Sequence, residues 1–177
     1  MQNTVQSILK FWFDEIHPKQ WDMVNPAFDF EIKERFALAY DLALQGLCDE
    51  WQSTPDGALA FVLLTGVFPH YMYRGDYKAF DGAVNAAIAG NSALDKGYDQ
   101  IFKASKRKFF YTAMLHSDHE KDLSRAVQAC AAIKDIEPVT YLRAQKAFTV
   151  FCAADSSVLC AGLNNAPDKE LAFVDKN

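Results

Sequence analysis

From Asn25 onward the apolar residues Phe28, Ile32, Phe36, Tyr40, Leu44 and Leu47 recur at steps of four and three, the spacing of one helical face. Asn25-Pro26 supplies an N-cap and a first helical residue, Asp29 adds negative charge to the first turn, and Gly46 closes the pattern. Thr54-Pro55-Asp56 restarts the chain in the same way. The segment that follows, "ALAFVLLTGVF", is apolar all round, which predicts a helix buried on every side. Phe68-Pro69 predicts its end, because the residue before proline avoids the α region. "YKAFDGAVNAAIAG" reads as an alanine-rich helix stopped at Gly90-Asn91, its small residues permitting close approach of a neighbour. Further helices are predicted over "KRKFFYTAML", over "KDLSRAVQACAAI", from Glu137-Pro138 towards Cys152, and briefly from Pro167. No segment alternates with period two for long, and no Asn-Gly or Asp-Gly turn separates two β-branched runs. No stretch reads as a linker or a repeat. The pattern predicts one compact all-α domain over residues 1–177, with about seven to nine helices around a central buried one.

Composition adds the size of the core. A chain of 177 residues suits one domain. At that length it can bury roughly 70% of its unfolded surface. Fourteen Phe argue for thick helix-on-helix packing, and Trp12 and Trp51 are expected in the core rather than as ligand platforms. The net charge of −5 disfavours a nucleic-acid partner. The one basic concentration, "KASKRK" with Lys103, Lys106, Arg107 and Lys108, reads as a solvated helix start. Cys48, Cys130, Cys152 and Cys160 form no C-x-x-C pair or zinc-like group, and reduced thiols are expected. The apolar run "ILKFWF" is too short for a signal or membrane segment. A cytoplasmic protein with no membrane partner is expected.

The candidate chemistry concentrates in "YTAMLHSDHEKDLSRA". Adjacent side chains on a helix point about 100° apart, so His116, Ser117 and Asp118 do not by themselves form a nucleophile–base–orienter line. His116, His119 and Asp122 recur at steps of three, which would suit a metal on an unbroken helix. Ser117-x-x-Glu120 is instead a capping-box signature. A helix starting at Ser117 breaks that register, so neither a metal site nor a cofactor is expected. His116 then ends the preceding helix, where positive charge suits the dipole.

A series of phrases carries a resemblance to a known family. Phe11-Trp12-Phe13, Asp49-Glu50-Trp51, Thr54-Pro55, Phe68-Pro69, Tyr73-Arg74-Gly75, Ala79-Phe80 and His116-Ser117-Asp118 follow one another from about residue 8 to residue 130. In this order they resemble the bacterial family known as domain of unknown function 924, whose tail the closing "PDKELAF" also fits. The resemblance implies a helical fold like that of tetratricopeptide proteins, built from helical hairpins, and brings no activity with it. Several positions depart from the family's pattern. Gly66-Val67 stands where members carry Asp-Gln, and His70-Tyr71 where they carry Arg-Asn. "TVFCAAD", Thr149 to Asp155, keeps only Phe151 of a Gly-Arg-Phe-Pro-His-Arg-Asn block.

Tyr73-Arg74 follows one helix end and His116-Ser117 marks another. If those junctions meet, Arg74, Tyr73, His116 and Ser117, with His70, would line a polar spot walled by aromatics. An arginine fork beside imidazole and hydroxyl donors suits a carboxylate or phosphate. The alternative for Arg74 is a tie to backbone carbonyls or to a carboxylate such as Asp118. The expected function is therefore a non-enzymatic module for a small anionic ligand or a protein segment. One rival is a hydrolase- or transferase-type enzyme using His116 and Arg74, with Ser117 and Asp118 as its further candidates. The other is a purely structural or self-associating protein.

Overall fold

The chain opens with α1 (Gln2–Lys10), which no sequence pattern announced, and widens into a π turn over Phe11–Glu15 that buries Phe11 and Trp12. Asn25 then caps α2 (Pro26–Leu44), its side-chain oxygen accepting the N–H groups of Ala27 and Phe28 at 3.1 and 3.4 Å. Thr54 caps α3 (Pro55–Val62) by accepting the Gly57 N–H at 3.2 Å. Each cap satisfies donors that the first helical turn cannot. The computed structural model describes residues 2–21 and 23–164, with side chains for 3–21 and 23–154. The helix expected from Pro167, the "PDKELAF" tail and the Cys160 side chain lie outside the described residues.

α2 buries Phe28, Ile32, Phe36 and Tyr40 as its spacing predicts. Leu47 departs from the pattern and stands exposed, with Cys48 buried in its place. The helix stops at Leu44, and Gly46 turns the chain with φ +77°, so the helical register no longer applies beyond it. α3 is the buried centre: every residue from Gly57 to Val62 is buried, and it packs against α1, α5 (Ala83–Asp95) and α6 (Ala104–Ala113).

Phe68-Pro69 does not end the central helix as expected. The chain passes through a π turn at Leu63–Val67 into α4 (Pro69–Met72), with Phe68 still in the right-handed α region. The Phe68 N–H reaches back five residues to the Leu63 carbonyl at 2.9 Å. A proline ring clashes with the carbonyl four residues earlier in a regular helix, here that of Thr65, and the wider turn moves that carbonyl aside. It settles against Gly82, where a Cβ would stand 2.5 Å from the Thr65 oxygen.

Gly90 is not the stop that the sequence suggested. It lies inside α5, which continues to Asp95 and ends at Gly97 with φ +69°. The missing side chain at Gly90 serves packing: a Cβ there would sit 2.7 Å from the Phe110 carbonyl oxygen of α6. α6 leads through a 3₁₀ turn (Met114–His116) to α7 (Glu120–Ala131), which packs on α8 (Pro138–Asn164). All regular elements among the described residues are helical, and none is long and apolar enough to cross a membrane.

The Gly90 contact gives a test with a definite sign. In an unconstrained helix interior Gly→Ala stabilises by about 1 kcal/mol. Here Gly90→Ala is expected to destabilise by about 1–3 kcal/mol, because the α5–α6 backbones must part. A denaturant midpoint at or above that of the wild type would contradict this packing.

Candidate functional site

Gly66, Val67, His70, Tyr71 and Arg74 fall on one side of the π turn and α4, at steps that return to the same helical face. Opposite them, α8 presents Val139, Thr140, Arg143 and Ala147, again at steps of three and four. α6 and the 3₁₀ turn after it contribute Lys108, Phe109, Thr112, Leu115 and His116. These three walls enclose a cavity of about 690 Å³ floored by Trp12 and Trp21. The two indoles stack with centroids 5.2 Å apart and planes 5° from parallel. Tyr71 fastens the Trp21 segment to α4 by donating its hydroxyl to the Trp21 carbonyl at 2.5 Å.

The charges around this cavity are mostly cancelled. Arg74 donates twice to Asp29 at 2.8 and 2.9 Å, a bidentate pair between the end of α4 and the first turn of α2. Lys108 meets Glu137 at 3.0 Å, with both side chains less than one-fifth exposed (18% and 19%). Its ammonium also lies 5.1 Å from the Trp21 ring centroid and 5.6 Å from that of Phe109. Arg143 has no carboxylate or hydrogen-bond partner among the described residues. Thr140 is only 8% exposed, and its hydroxyl has no hydrogen bond among the described residues.

His70 and His116 complete the lining. Their rings stack with centroids 5.7 Å apart and planes at 26°, and Phe80 meets His70 edge-on at 5.3 Å. Burial holds both imidazoles below their ordinary value of 6.5; the Arg74 charge adds to this for His70, and His70 itself for His116. At neutral pH both are uncharged rings, each able to give one hydrogen bond and accept another.

Of the residues proposed from sequence, His70, Arg74 and His116 meet at this cavity. Tyr73 faces away: it packs on Tyr40 at 5.9 Å, with Lys33 and Lys78 beside its ring. Ser117 and Asp118 are not part of the lining either. Arg74 takes Asp29 as its partner rather than Asp118. The Ser117 hydroxyl donates to Asp122 at 2.6 Å and accepts the His119 N–H at 3.2 Å. The expected capping box at Ser117 is therefore corrected: α7 begins at Glu120, with His119 as N-cap and Ser117 two residues before it. The Ser117 oxygen accepts the His119 N–H rather than that of Glu120 while its proton goes to Asp122, and the helix starts two residues later than the motif implies.

Sequence reasoning missed Thr140, Arg143, Lys108 and Trp21. Thr140 and Arg143 stand three apart on a helix read only from its Glu137-Pro138 start, and that spacing was the available signal. Lys108 belonged to a run read as solvated, yet Lys106 lies 4.6 Å from the Phe13 ring centroid and Lys108 is half-buried against aromatics.

Two expectations follow. Ser117→Asp should destabilise more than Ser117→Ala, since it sets a second carboxylate against Asp122; a capping serine would tolerate aspartate with little change. Equal or greater stability of the aspartate variant in thermal unfolding would contradict the Ser117–Asp122 bond. The depressed histidines set a pH dependence. The unfolded chain binds protons at these positions near pH 6.5 while the folded chain does not, so their contribution is intact above that pH. It is lost as pH falls through the lower folded values. The His70→Gln/His116→Gln double variant should lose less stability than the wild type between neutral pH and about pH 5. Parallel curves would mean that neither ring is held neutral by the fold.

Comparison with known proteins adds the family. The chain is similar to the solved structure of a protein of unknown function from Agrobacterium tumefaciens, at 24% identity and a TM-score of 0.76, over 84% of this chain and 82% of that one. At that identity the likeness speaks for the fold alone. Nothing matches among curated proteins. The family model described as bacterial protein of unknown function (DUF924) matches residues 8–157, and the chain belongs to that family.

Proposed function

We propose that this protein binds a small organic anion in the cavity between α4, α6 and α8, and acts as a binding module rather than as an enzyme. One observation carries this reading. Around the cavity Arg74 and Lys108 are neutralised by Asp29 and Glu137, while Arg143 and the Thr140 hydroxyl have no partner among the described residues. A hydroxyl that lines a cavity and is not committed to the protein can donate to an occupant. A cation facing a half-closed cavity lowers the energy of any anion that enters. The cavity volume also lies within the ~300–1,000 Å³ usual for small-molecule sites.

The catalytic alternative uses His116 as a general base and needs Arg74 free to clamp an anion, but Arg74 is held by Asp29. Ser117 gives its hydroxyl to Asp122, and Asp118 stands exposed. Binding is the function that uses the residues actually gathered at the cavity.

Thermal unfolding with millimolar carboxylates and phosphate tests the reading. An anion at about ten times its Kd adds roughly 1.4 kcal/mol to the folded state, a rise of about 3–5 °C in Tm for a chain of this size. The wild type should show that rise and Arg143→Gln should not, while Arg74→Gln should keep it from a lower starting Tm. A rise of equal size in the Arg143 variant would remove the cavity from consideration as the anion site.

A further inference from the structure

We infer that the occupant is an amphipathic monocarboxylate, with a single carboxylate head at the start of α8 and an aliphatic body lying inward along the cavity wall; this rests on the anion-binding reading above. The head position follows from four groups. Val139 and Thr140 belong to the first turn of α8, whose N–H groups have no acceptor within the helix and carry the positive end of its dipole. Thr140 is 8% exposed and lines the same cavity, and its hydroxyl has no hydrogen bond among the described residues. Arg143 stands three residues further on, one turn along the same face. A carboxylate placed there accepts from the hydroxyl and the first-turn amides with one oxygen and from the guanidinium with the other.

Charge fixes the number of ionised groups on the head. Glu137 immediately precedes α8 and is already matched by Lys108, as Asp29 is by Arg74. One uncompensated guanidinium remains, and the two imidazoles are neutral. A monoanion balances it. A phosphate monoester would bring a second negative charge next to Glu137 with no cation left to meet it.

The body is assigned by what the walls still offer. The Trp21 ring is stacked on Trp12 and has Lys108 beside it, Tyr71 has Arg74 at 5.5 Å, and Phe109 lies edge-on to both Trp12 and Trp21. The rings are thus already engaged with one another and with cations. The apolar surface left to a ligand is methyl and methylene: Val67, Leu115, Val139, Ala147 and the exposed Met23. Such a lining favours a flexible aliphatic chain over a stacked aromatic one.

Calorimetric titration at neutral pH with acetate, butanoate, hexanoate and octanoate, then octanamide and octyl phosphate, tests the inference. Each added methylene should tighten binding about three- to fourfold until the cavity is filled. Octanoate should exceed both octanamide and octyl phosphate by at least about tenfold, the effect of one charge-assisted contact set. Arg143→Gln should bring octanoate down to the level of octanamide. Thr140→Val, close in shape and free of the hydroxyl, should weaken octanoate several-fold while leaving octanamide little changed. Circular dichroism matching the wild type establishes that both variants are folded. Acetate binding as tightly as octanoate in an Arg143-dependent way would overturn the aliphatic class and leave the anion site standing. Octyl phosphate exceeding octanoate would overturn the monocarboxylate head. Octanoate binding that ignores both substitutions, or no binding of any probe, would overturn the inference together with the reading beneath it.

Discussion

Pro69 has no N–H to contribute to a helix, and its ring needs room where the carbonyl of Thr65 would otherwise lie. The chain meets both demands with the wide turn at Leu63–Val67, which lets the buried central helix continue past the proline instead of stopping. Gly82 makes the turn feasible, because any side chain there would strike the displaced Thr65 carbonyl. Everything on the α4 wall of the cavity follows from this adjustment. His70, Tyr71 and Arg74 share a face with Gly66 and Val67 because the helix was widened and not broken. Tyr73, one residue out of that register, points to Tyr40 instead.

The second organising feature is how an acidic chain of net charge −5 leaves an unpaired arginine at a cavity. Its carboxylates are not excluded from the region; they are used. Asp29 ties α2 to the end of α4 through Arg74, and Glu137 ties the start of α8 to α6 through Lys108. Each pair ties a wall element to its neighbour, and each removes one charge of either sign from the cavity's balance. What remains is Arg143 with the Thr140 hydroxyl and two neutral imidazoles. The structural cations are those that hold the walls. The cation available to a ligand is the one that holds nothing.

Much of the fold was legible because it depends on short-range chemistry. Asn25 and Thr54 cap helices where a polar side chain precedes proline, and the all-apolar "ALAFVLLTGVF" is the buried centre. Errors arose where tertiary contacts set the outcome. Gly90 looked like a stop, yet its lack of a Cβ answers to Phe110 on another helix. Ser117 looked like a cap, yet its oxygen meets the His119 N–H outside the helix, which begins only at Glu120. The candidate site was half legible. His70, Arg74 and His116 were singled out and do share a cavity, but the partner of Arg74 lies 45 residues away in sequence, beyond any local pattern. Arg143 escaped notice because an exposed arginine on a helix has no distinguishing sequence context; its importance comes from every nearby cation being paired.

The account turns on which arginine is free to meet an anion, and bromide answers that in one experiment. It is a monoanion, small enough to reach any cation in the cavity, and its anomalous scattering locates it without assumptions about ligand chemistry. Crystals of the wild-type protein soaked in bromide should show an anomalous peak between the Arg143 guanidinium and the Thr140 hydroxyl, with the Arg74–Asp29 pair intact. A peak on Arg74 with Asp29 displaced, or ordered bromide elsewhere on the protein and none at Arg143, would contradict the account.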